Sequence, residues 1–345
     1  MKILVTGGAG FIGSHTVVAL AETGFTPVLV DDFSNSERLV LDGLEKILGR
    51  PVKCYEADCN DRAAMRDIFR REKPAGVIHF AAFKAVGESM AEPLKYYHNN
   101  LGSLITLLEV MQESGTTDLI FSSSATVYGQ PEQLPVGEDS PPQPAMSVYG
   151  NTKRIGEEIL RDVAAAGKPF KIISLRYFNP IGAHPSGLIG ELPRGVPNNL
   201  VPFITQAAAG LRPQLSVFGD DYDTPDGTAV RDYIHVMDLA EAHVMAFQYL
   251  SRQSVPSLYD TFNVGTGAGA SVMEVIRTFE AASGMSLNYR IAPRRPGDVE
   301  AVFADVQKAN RELGWTARRS LHDALTDAWR WQIALGAPGS SHDTH

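Results

Sequence analysis

The amino-acid sequence predicts an α/β fold, in which a doubly wound parallel sheet is followed by a smaller α/β region toward the carboxyl terminus. Two observations support this prediction. Short apolar runs alternate with helical patterns through residue 178, which is typical of successive βαβ units. Over residues 180–230, glycine, proline and asparagine become frequent and the alternation is lost. We therefore expect two domains, 1–178 and 179–338, with some later elements returning to the first domain, and a disordered tail at 339–345.

Composition and charge exclude several classes of protein. The chain has 345 residues, of which 44% are hydrophobic, and its net charge of −9 disfavours nucleic acid or an anionic membrane surface as the partner. No apolar run is long enough to span a membrane, and strand-like sequence begins at residue 2, so we expect neither a membrane span nor a signal peptide. Cys54 and Cys59 are too few for a disulfide scaffold or a zinc cluster. We expect a cytoplasmic protein without a metal.

A glycine-rich turn near the amino terminus indicates a dinucleotide site. Gly7, Gly10 and Gly13 follow the apolar run at residues 2–6 with the spacing G-x-x-G-x-x-G, and a helical pattern follows them. Such glycines let the backbone approach a pyrophosphate, which the amino end of the helix then binds. The next strand ends at Asp31, where a carboxylate accepts hydrogen bonds from an adenine-side ribose and repels a 2′-phosphate. The sequence therefore predicts a Rossmann-like domain that binds NAD rather than NADP.

Polar residues follow the ends of later strands, and the carboxyl ends of parallel strands share one edge of a sheet. Asp58 is a candidate partner for the adenine amine. Lys84 could reach the nicotinamide ribose, or it could be a solvated loop lysine. The hydroxyl row at residues 122–126 either points into the ligand crevice or satisfies local backbone groups. The adjacent arginines of a predicted loop at residues 290–298 could pair with phosphates.

Tyr149 and Lys153 lie four residues apart at the start of a predicted amphipathic helix. Positions i and i+4 of a helix share a face, so both side chains can face one cavity. A tyrosine hydroxyl titrates near about 10, and a neighbouring ammonium lowers that pKa, which makes the tyrosine a usable general base. The alternative interpretation of this pair is a packed tyrosine beside a solvated lysine.

Several motifs follow one another along nearly the whole chain. They are residues 6–15, 84–89, 121–129, 149–153, 176–187, 197–200, 226–228, 230–239 and 294–298. Together they resemble the extended short-chain dehydrogenase/reductase superfamily and, within it, the UDP-glucose (UDP-galactose) 4-epimerase family.

The resemblance implies an activity. The family inverts C4 of UDP-hexoses, converting UDP-galactose to UDP-glucose through a transient 4-keto sugar, with a tightly bound NAD that is regenerated. Tyr149 resembles the catalytic base, Lys153 the residue that lowers its pKa and holds the nicotinamide ribose, and Ser124 the hydroxyl that bonds the sugar O4. The family also implies a homodimer formed through paired helices, which here include residues 99–114 and 147–165.

Binding residues are implied in the same way. The NAD-contacting positions of the family match Gly7, Gly10, Phe11, Ile12, Gly13, Asp31, Asn35, Ser36, Asp58, Cys59, Phe80, Ala81, Lys84, Asn99, Tyr149, Lys153 and Phe178. The positions that hold the UDP-sugar match Ser124, Asn179, Asn199, Leu200, Phe218, Arg231, Arg295, Asp298 and Val302. Many relatives have Ile or Val in place of Cys59, so we expect this residue to present its backbone, rather than its thiol, to the cofactor.

Val302 bears on substrate range. Sugar-specific relatives carry a tyrosine at this position, against the hexose 2-position, whereas relatives that tolerate an N-acetyl group carry a smaller residue. The resemblance therefore implies that the protein also interconverts UDP-GlcNAc and UDP-GalNAc, unless neighbouring side chains refill the space.

Other functions remain open at this point. A nucleotide-sugar 4,6-dehydratase needs an acid, and such relatives carry an Asp-Glu pair directly after the threonine that follows the serine-rich strand end. Here Thr126 is followed by Val127 and Tyr128. A UDP-uronate 4-epimerase or decarboxylase is disfavoured by resemblance alone. A non-catalytic NAD-binding sensor would not need the intact serine, tyrosine and lysine.

Overall fold

The computed structural model describes residues 1–141, 143–295 and 298–336. Its strands are β1 (Lys2–Thr6), β2 (Thr26–Asp31), β3 (Lys53–Glu56), β4 (Gly76–His79), β5 (Asp118–Ser122), β6 (Lys171–Tyr177), β7 (Asn179–Ile181), β8 (Leu215–Phe218), β9 (Val230–Arg231), β10 (Tyr233–His235), β11 (Leu258–Val264), β12 (Ala270–Ser271), β13 (Tyr289–Ala292) and β14 (Ala301–Val302). Its helices are α1 (Phe11–Glu22), α2 (Leu39–Leu48), α3 (Arg62–Glu72), α4 (Val86–Ala91), α5 (Pro93–Ser114), α6 (Val148–Ala165), α7 (Leu200–Ala208), α8 (Val236–Ser251), α9 (Val272–Ser283) and α10 (Leu321–Gly336).

A seven-stranded parallel sheet forms the centre of the molecule. Its strand order is β11-β6-β5-β4-β1-β2-β3. β1 pairs with β2 on one side and with β4 on the other, so the direction of winding reverses at β1. In doubly wound sheets, ligands bind beyond the carboxyl ends of the strands at this reversal. The predicted α/β fold is therefore confirmed, and it brings the segments that follow β1, β2, β4 and β5 to one edge.

The core explains why these strands appear as continuous apolar runs in the sequence. Both faces of the sheet are covered, so successive residues of a strand are buried on opposite sides. Ile3 and Val5 of β1 pack in a cluster with residues of α1 and α8. Leu4, between them, packs in a second cluster with Leu104 of α5 and Leu160 of α6. The helix that carries the predicted base, α6, is thereby fixed against the sheet.

Smaller sheets lie in the carboxyl-terminal half. β7 pairs with β10, β9 lies between β12 and β14, and β8 pairs with β13. Residues of α7, α9 and α10 share a third apolar cluster with these strands. The predicted domain boundary after residue 178 lies between β6 and β7 and stays a prediction. The predicted tail at 339–345 lies outside the described residues.

Some predicted boundaries are wrong. The predicted loop at residues 290–298 overlaps β13, whose mostly exposed side chains give no apolar signal. Helix α5 begins at Pro93 rather than near residue 99, because proline is well suited to the first turn of a helix. No helix in the described part of the chain has the length and apolar character needed to cross a membrane.

Candidate active site

The turn after β1 is packed tightly enough to require glycine. Gly7 has φ +67°, and a Cβ there would lie 2.8 Å from the Ala81 nitrogen. A Cβ on Gly13 would lie 2.2 Å from the Gly7 oxygen. Gly10 precedes α1 without any side chain capping the helix. The first-turn N–H groups of α1 therefore remain open to an anion, and Phe11 and Ile12 lie in that turn.

Asp31 is held in one orientation at the end of β2. One carboxylate oxygen accepts hydrogen bonds from the Phe33 nitrogen at 3.0 Å and from the Ser36 hydroxyl at 2.7 Å, and the other accepts one from the Ala9 nitrogen at 2.9 Å. A carboxylate has about four acceptor positions, so Asp31 keeps capacity for ribose hydroxyls. Asn35, which is exposed, lies beside Ser36 on the same loop. The tight turn, the uncapped helix and this oriented carboxylate fit a dinucleotide.

The loop after β3 carries the next predicted contacts. Asp58 accepts hydrogen bonds from the backbone and the side chain of Asn60, at 2.8 and 2.9 Å. The side chain of Asn60 also donates to Asn99 on α5, at 3.4 Å. Cys59 is buried in an apolar cluster, and burial raises the pKa of its thiol. The thiol therefore faces the core, which leaves the backbone of Cys59 for any contact with a ligand.

Helix α6 presents the predicted catalytic pair. The Ser147 hydroxyl caps the helix by accepting a hydrogen bond from the Gly150 nitrogen at 3.1 Å. Lys153 is buried, and its ammonium donates to the Ser122 carbonyl at 2.7 Å and lies 5.9 Å from the centre of the Tyr149 ring. Tyr149 is hydrogen-bonded to Ser124. The structure thus brings together the three residues predicted to be catalytic.

The pKa values of this pair differ from the sequence-based expectation. Burial raises the pKa of Tyr149 to about 12, although the Ser124 hydrogen bond opposes the shift. Burial lowers the pKa of Lys153 to about 7, and the carboxylate of Glu157 opposes that shift. Removal of the phenol from water is the largest influence on the pKa of Tyr149. The expected depression of the tyrosine pKa by Lys153 is therefore wrong for the protein without ligands.

A buried ion pair that the sequence did not predict supports the serine turn. Glu157 accepts hydrogen bonds from the Ser123 hydroxyl at 2.5 Å and from the Arg176 guanidinium at 2.6 and 2.9 Å. The Ser122 hydroxyl is hydrogen-bonded to Tyr177. Together with the Lys153 contact, these bonds fix the backbone that leads to the candidate hydroxyl. Glu157 lies four residues after Lys153, so the same helical spacing could have indicated it.

Lys84 and Asn199 meet at one carboxylate. The Lys84 ammonium lies 3.2 Å from the Glu191 carboxylate, and the Asn199 amide donates to the same carboxylate at 2.7 Å. A predicted cofactor residue and a predicted substrate residue therefore share a partner. Phe80 directly precedes Ala81, whose backbone packs on the glycine turn. The centre of the Phe80 ring lies 4.7 Å from that of the His243 ring.

Four predicted substrate residues of the carboxyl-terminal half contact one another in pairs. Arg231 forms an ion pair with Asp298. The Arg295 guanidinium stacks 4.0 Å from the centre of the Phe218 ring. Arg294, its neighbour, instead forms an ion pair with Asp221. Of these two adjacent arginines, Arg295 is therefore the one that has no carboxylate partner among the described residues.

Val302 lies on β14, in the carboxyl-terminal half of the chain. It pairs with Arg231 in the sheet of β9 and β14. It also packs, together with Ala125, against a cluster that contains Phe178 and Val127. Ala125 directly follows the candidate hydroxyl, so Val302 packs against the same cluster as the neighbour of that hydroxyl. Two further predicted residues, Asn179 on β7 and Leu200 at the start of α7, lie in the same half of the chain.

Comparison with known proteins gives the family. The family described as GDP-mannose 4,6 dehydratase matches residues 4–328. A Bacillus subtilis (strain 168) protein named UDP-glucose 4-epimerase is 52% identical over 332 residues, which cover 96% of this chain and 97% of that protein. The chain belongs to the UDP-glucose 4-epimerase family. Members of this family also have solved structures with the same fold.

Two of these solved structures are especially similar. The UDP-glucose 4-epimerase of Stenotrophomonas maltophila, with bound NAD and formylated UDP-arabinopyranose, has a TM-score of 0.95 at 49% identity and covers 97% of this chain and 99% of its own. The enzyme of Bifidobacterium longum, in complex with NAD+ and UDP, has a TM-score of 0.92 at 47% identity, with 97% and 98% covered. The similarity therefore extends over nearly the whole chain.

Proposed function

We propose that the protein is a UDP-glucose 4-epimerase, which interconverts UDP-galactose and UDP-glucose by NAD-dependent inversion at C4. One observation carries this proposal. Ser124, Tyr149 and Lys153 converge at the carboxyl edge of the sheet, beside a glycine turn and an oriented Asp31 that fit a dinucleotide. The full-length relatives named as 4-epimerases support the same assignment. Thr126 is followed directly by Val127 and Tyr128 and not by an Asp-Glu pair, which disfavours the dehydratase chemistry.

The amino-terminal half would hold the cofactor. The open first turn of α1 would bind the pyrophosphate, Asp31 the adenine-side ribose and Lys153 the nicotinamide ribose. Phe178, buried near the serine turn, would pack beside the nicotinamide. When bound, NAD supplies reversible hydride transfer at the sugar C4 and a positive ring that lowers the pKa of a nearby phenol.

The chain itself moves the proton. Tyr149 would take the proton from the sugar O4 and later return it, with Ser124 as the hydroxyl that bonds both O4 and the phenol. Burial of the tyrosine excludes competing water, and the Glu157 and Lys153 bonds keep the serine turn in place during the cycle. Inversion requires that the sugar present both faces to this fixed group.

Residues of the carboxyl-terminal half would hold the UDP group of the substrate while the sugar turns. Arg231 and Arg295 would neutralise the doubly anionic pyrophosphate, and Phe218 would pack with the nucleotide. Holding the UDP rather than the hexose leaves the ring free to rotate about its phosphate bonds. Because the UDP and not the hexose is held, the candidate cationic side chains are those of Arg231 and Arg295, which would contact the pyrophosphate.

Incubation with UDP-galactose is the direct test. We expect purified protein, with no added cofactor, to convert UDP-galactose to UDP-glucose, as followed by proton NMR of the anomeric signals. Conversion without added NAD would also show that the cofactor remains bound during purification. If nothing changes even after NAD is supplied, the catalytic assignment is wrong and a non-catalytic NAD-binding sensor becomes the better interpretation. Conversion of UDP-uronates alone would favour the UDP-uronate 4-epimerase.

A wider substrate range is a second proposal. Val302 packs against the same cluster as Ala125, which directly follows the candidate hydroxyl, and a valine occupies less space than a tyrosine does. We infer that the site also accepts UDP-GalNAc and UDP-GlcNAc. The support is the position of Val302 in the cleft, together with the resemblance that relates this position to the hexose 2-substituent.

Assembly into a homodimer is a third proposal. Helix α5, which packs against α6, carries an apolar stripe at helical spacing, in which Leu94 and Ile105 are exposed and Leu101 is half-buried. We expect sedimentation at twice the mass of the chain, and Ile105→Glu should shift the protein toward monomer because it places a charge in that stripe. Ile291→Glu is the matched control, since Ile291 is equally exposed on β13. Unchanged sedimentation of the Ile105→Glu protein would contradict this interface.

The cytoplasm is the location that we propose for the protein. Cys54 and Cys59 are both free thiols, as is usual in a reducing compartment. Burial raises the pKa of Cys54 to about 11, which keeps that thiol protonated and unreactive.

A further inference from the structure

Arg194 connects two parts of the chain that are far apart in sequence. It lies in the segment at residues 191–199, here named the strap, which ends at the predicted substrate residue Asn199. Its guanidinium reaches the loop after β2, residues 32–37, here named the β2 loop. It donates to the carbonyls of Ser34 at 2.6 Å, Phe33 at 3.1 Å and Ser36 at 3.0 Å. Its Nε also donates to the carboxylate of Glu37 at 2.8 Å.

The β2 loop needs such support to keep its shape. Phe33 has φ +56°, a left-handed conformation that side chains other than glycine disfavour. The loop carries Asn35 and Ser36, and the Ser36 hydroxyl is one of the groups that orient Asp31. Because three carbonyls of the loop converge on a single guanidinium, the loop cannot move away from Asp31 without breaking several charge-assisted hydrogen bonds at once.

The strap is itself held at its base. The Glu191 carbonyl accepts a hydrogen bond from the Trp331 indole at 3.0 Å, and its carboxylate is bonded to Lys84 and Asn199. Pro193 precedes Arg194 and restricts the backbone there. Arg194 therefore extends from a fixed segment onto a strained loop.

Building on the NAD-binding role proposed above, we propose that Arg194 is a cofactor-retaining residue, which keeps the β2 loop closed around the adenosine half of NAD. It does not contact the reacting atoms. Arg194 lowers the rate of NAD release, because release of the adenosine requires the β2 loop to open.

The shape of the guanidinium is the basis of the test. Arg194→Gln removes the charge and most of the donors, whereas Arg194→Lys keeps the positive charge but cannot span three carbonyls with one ammonium. Arg66→Gln is the matched control, because Arg66 is also half-exposed and donates two hydrogen bonds to Glu113 on a surface far from the β2 loop. All three substitutions are on the surface and are not expected to prevent folding.

The measurement is NAD release from the holoenzyme. Each protein is saturated with NAD, freed of excess nucleotide by gel filtration, and sampled over time for the NAD that stays bound. We expect both Arg194 variants to release NAD about tenfold faster than the unmodified protein. A tenfold change corresponds to losing the net free energy of about one charge-assisted hydrogen bond. Arg66→Gln should release it at the unmodified rate, and turnover of all proteins with excess NAD should be equal.

Several results would overturn the inference. Equal release from Arg194→Gln and the unmodified protein would remove Arg194 from cofactor retention while leaving the proposed epimerase intact. Full retention by Arg194→Lys would mean that simple attraction between a cation and the anionic cofactor explains the effect, and not closure of the loop. If the unmodified protein cannot be loaded with NAD at all, the proposed function fails together with this inference.

Discussion

Tyr149→Phe should lower the turnover of UDP-galactose by about a thousandfold or more, because general acid–base catalysis by a positioned group contributes up to about 10⁴-fold. The substitution removes only the hydroxyl and keeps the ring that fills the site. Tyr149 is buried beside Ser124, so a water molecule cannot readily replace its oxygen. NAD content should remain unchanged, since the ring is retained and the glycine turn and Asp31 are untouched. Turnover is measured by NMR, and bound NAD by extraction.

The pH profile provides a second readout. Only the phenolate accepts a proton, and burial raises the pKa of Tyr149 to about 12 in the protein alone. Turnover of the unmodified enzyme should therefore rise with pH as long as the pH is below the pKa of the tyrosine in the complex. The residual activity of Tyr149→Phe should lack that rise. Tyr249→Phe, on helix α8, is the matched control and should behave as the unmodified protein. A Tyr149→Phe enzyme with near-normal turnover would remove this residue from the mechanism.

Local patterns were the part of the structure that the sequence could predict. The spacing of Gly7, Gly10 and Gly13 and the position of Asp31 lie within one βαβ unit, where neighbours in sequence are neighbours in space. The pair on α6 was visible for the same reason, since i and i+4 always share a helical face. Continuous apolar runs predicted the central strands because both faces of that sheet are buried.

Long-range contacts and burial could not be predicted in this way. The Glu157–Arg176 pair joins a helix to a strand, and Arg194 reaches a loop from the opposite half of the chain. Helical spacing from Lys153 could have indicated Glu157, but no local pattern identifies Arg176 as its partner or the β2 loop as the partner of Arg194. The direction of the Tyr149 pKa shift was wrong for a related reason: the sequence shows a neighbouring lysine but not the loss of water around both groups.

Val302→Tyr should abolish most activity on the N-acetylated substrates. The added ring would project from β14 toward Ala125 and the candidate hydroxyl, into space that an N-acetyl group would need. Overlap of that size should lower kcat/KM for UDP-GalNAc by about 100-fold, since even single methylene changes in a fitted pocket cost up to about 200-fold. UDP-galactose lacks the N-acetyl group, so its conversion should stay close to that of the unmodified enzyme.

Val302→Ala is the matched control for this substitution. It keeps the space open while removing the same valine, so it should retain activity on both substrate pairs. A selective loss in Val302→Tyr together with retention in Val302→Ala would attribute the effect to volume at this position rather than to disturbance of the pairing between β9 and β14. Two results would contradict the proposal: no turnover of UDP-GalNAc by the unmodified enzyme, or equal turnover of UDP-GalNAc by the tyrosine variant. In the first case the side chains that pack with Val302, such as Phe178, would limit the pocket instead. In the second case the residue at position 302 would not border the N-acetyl group.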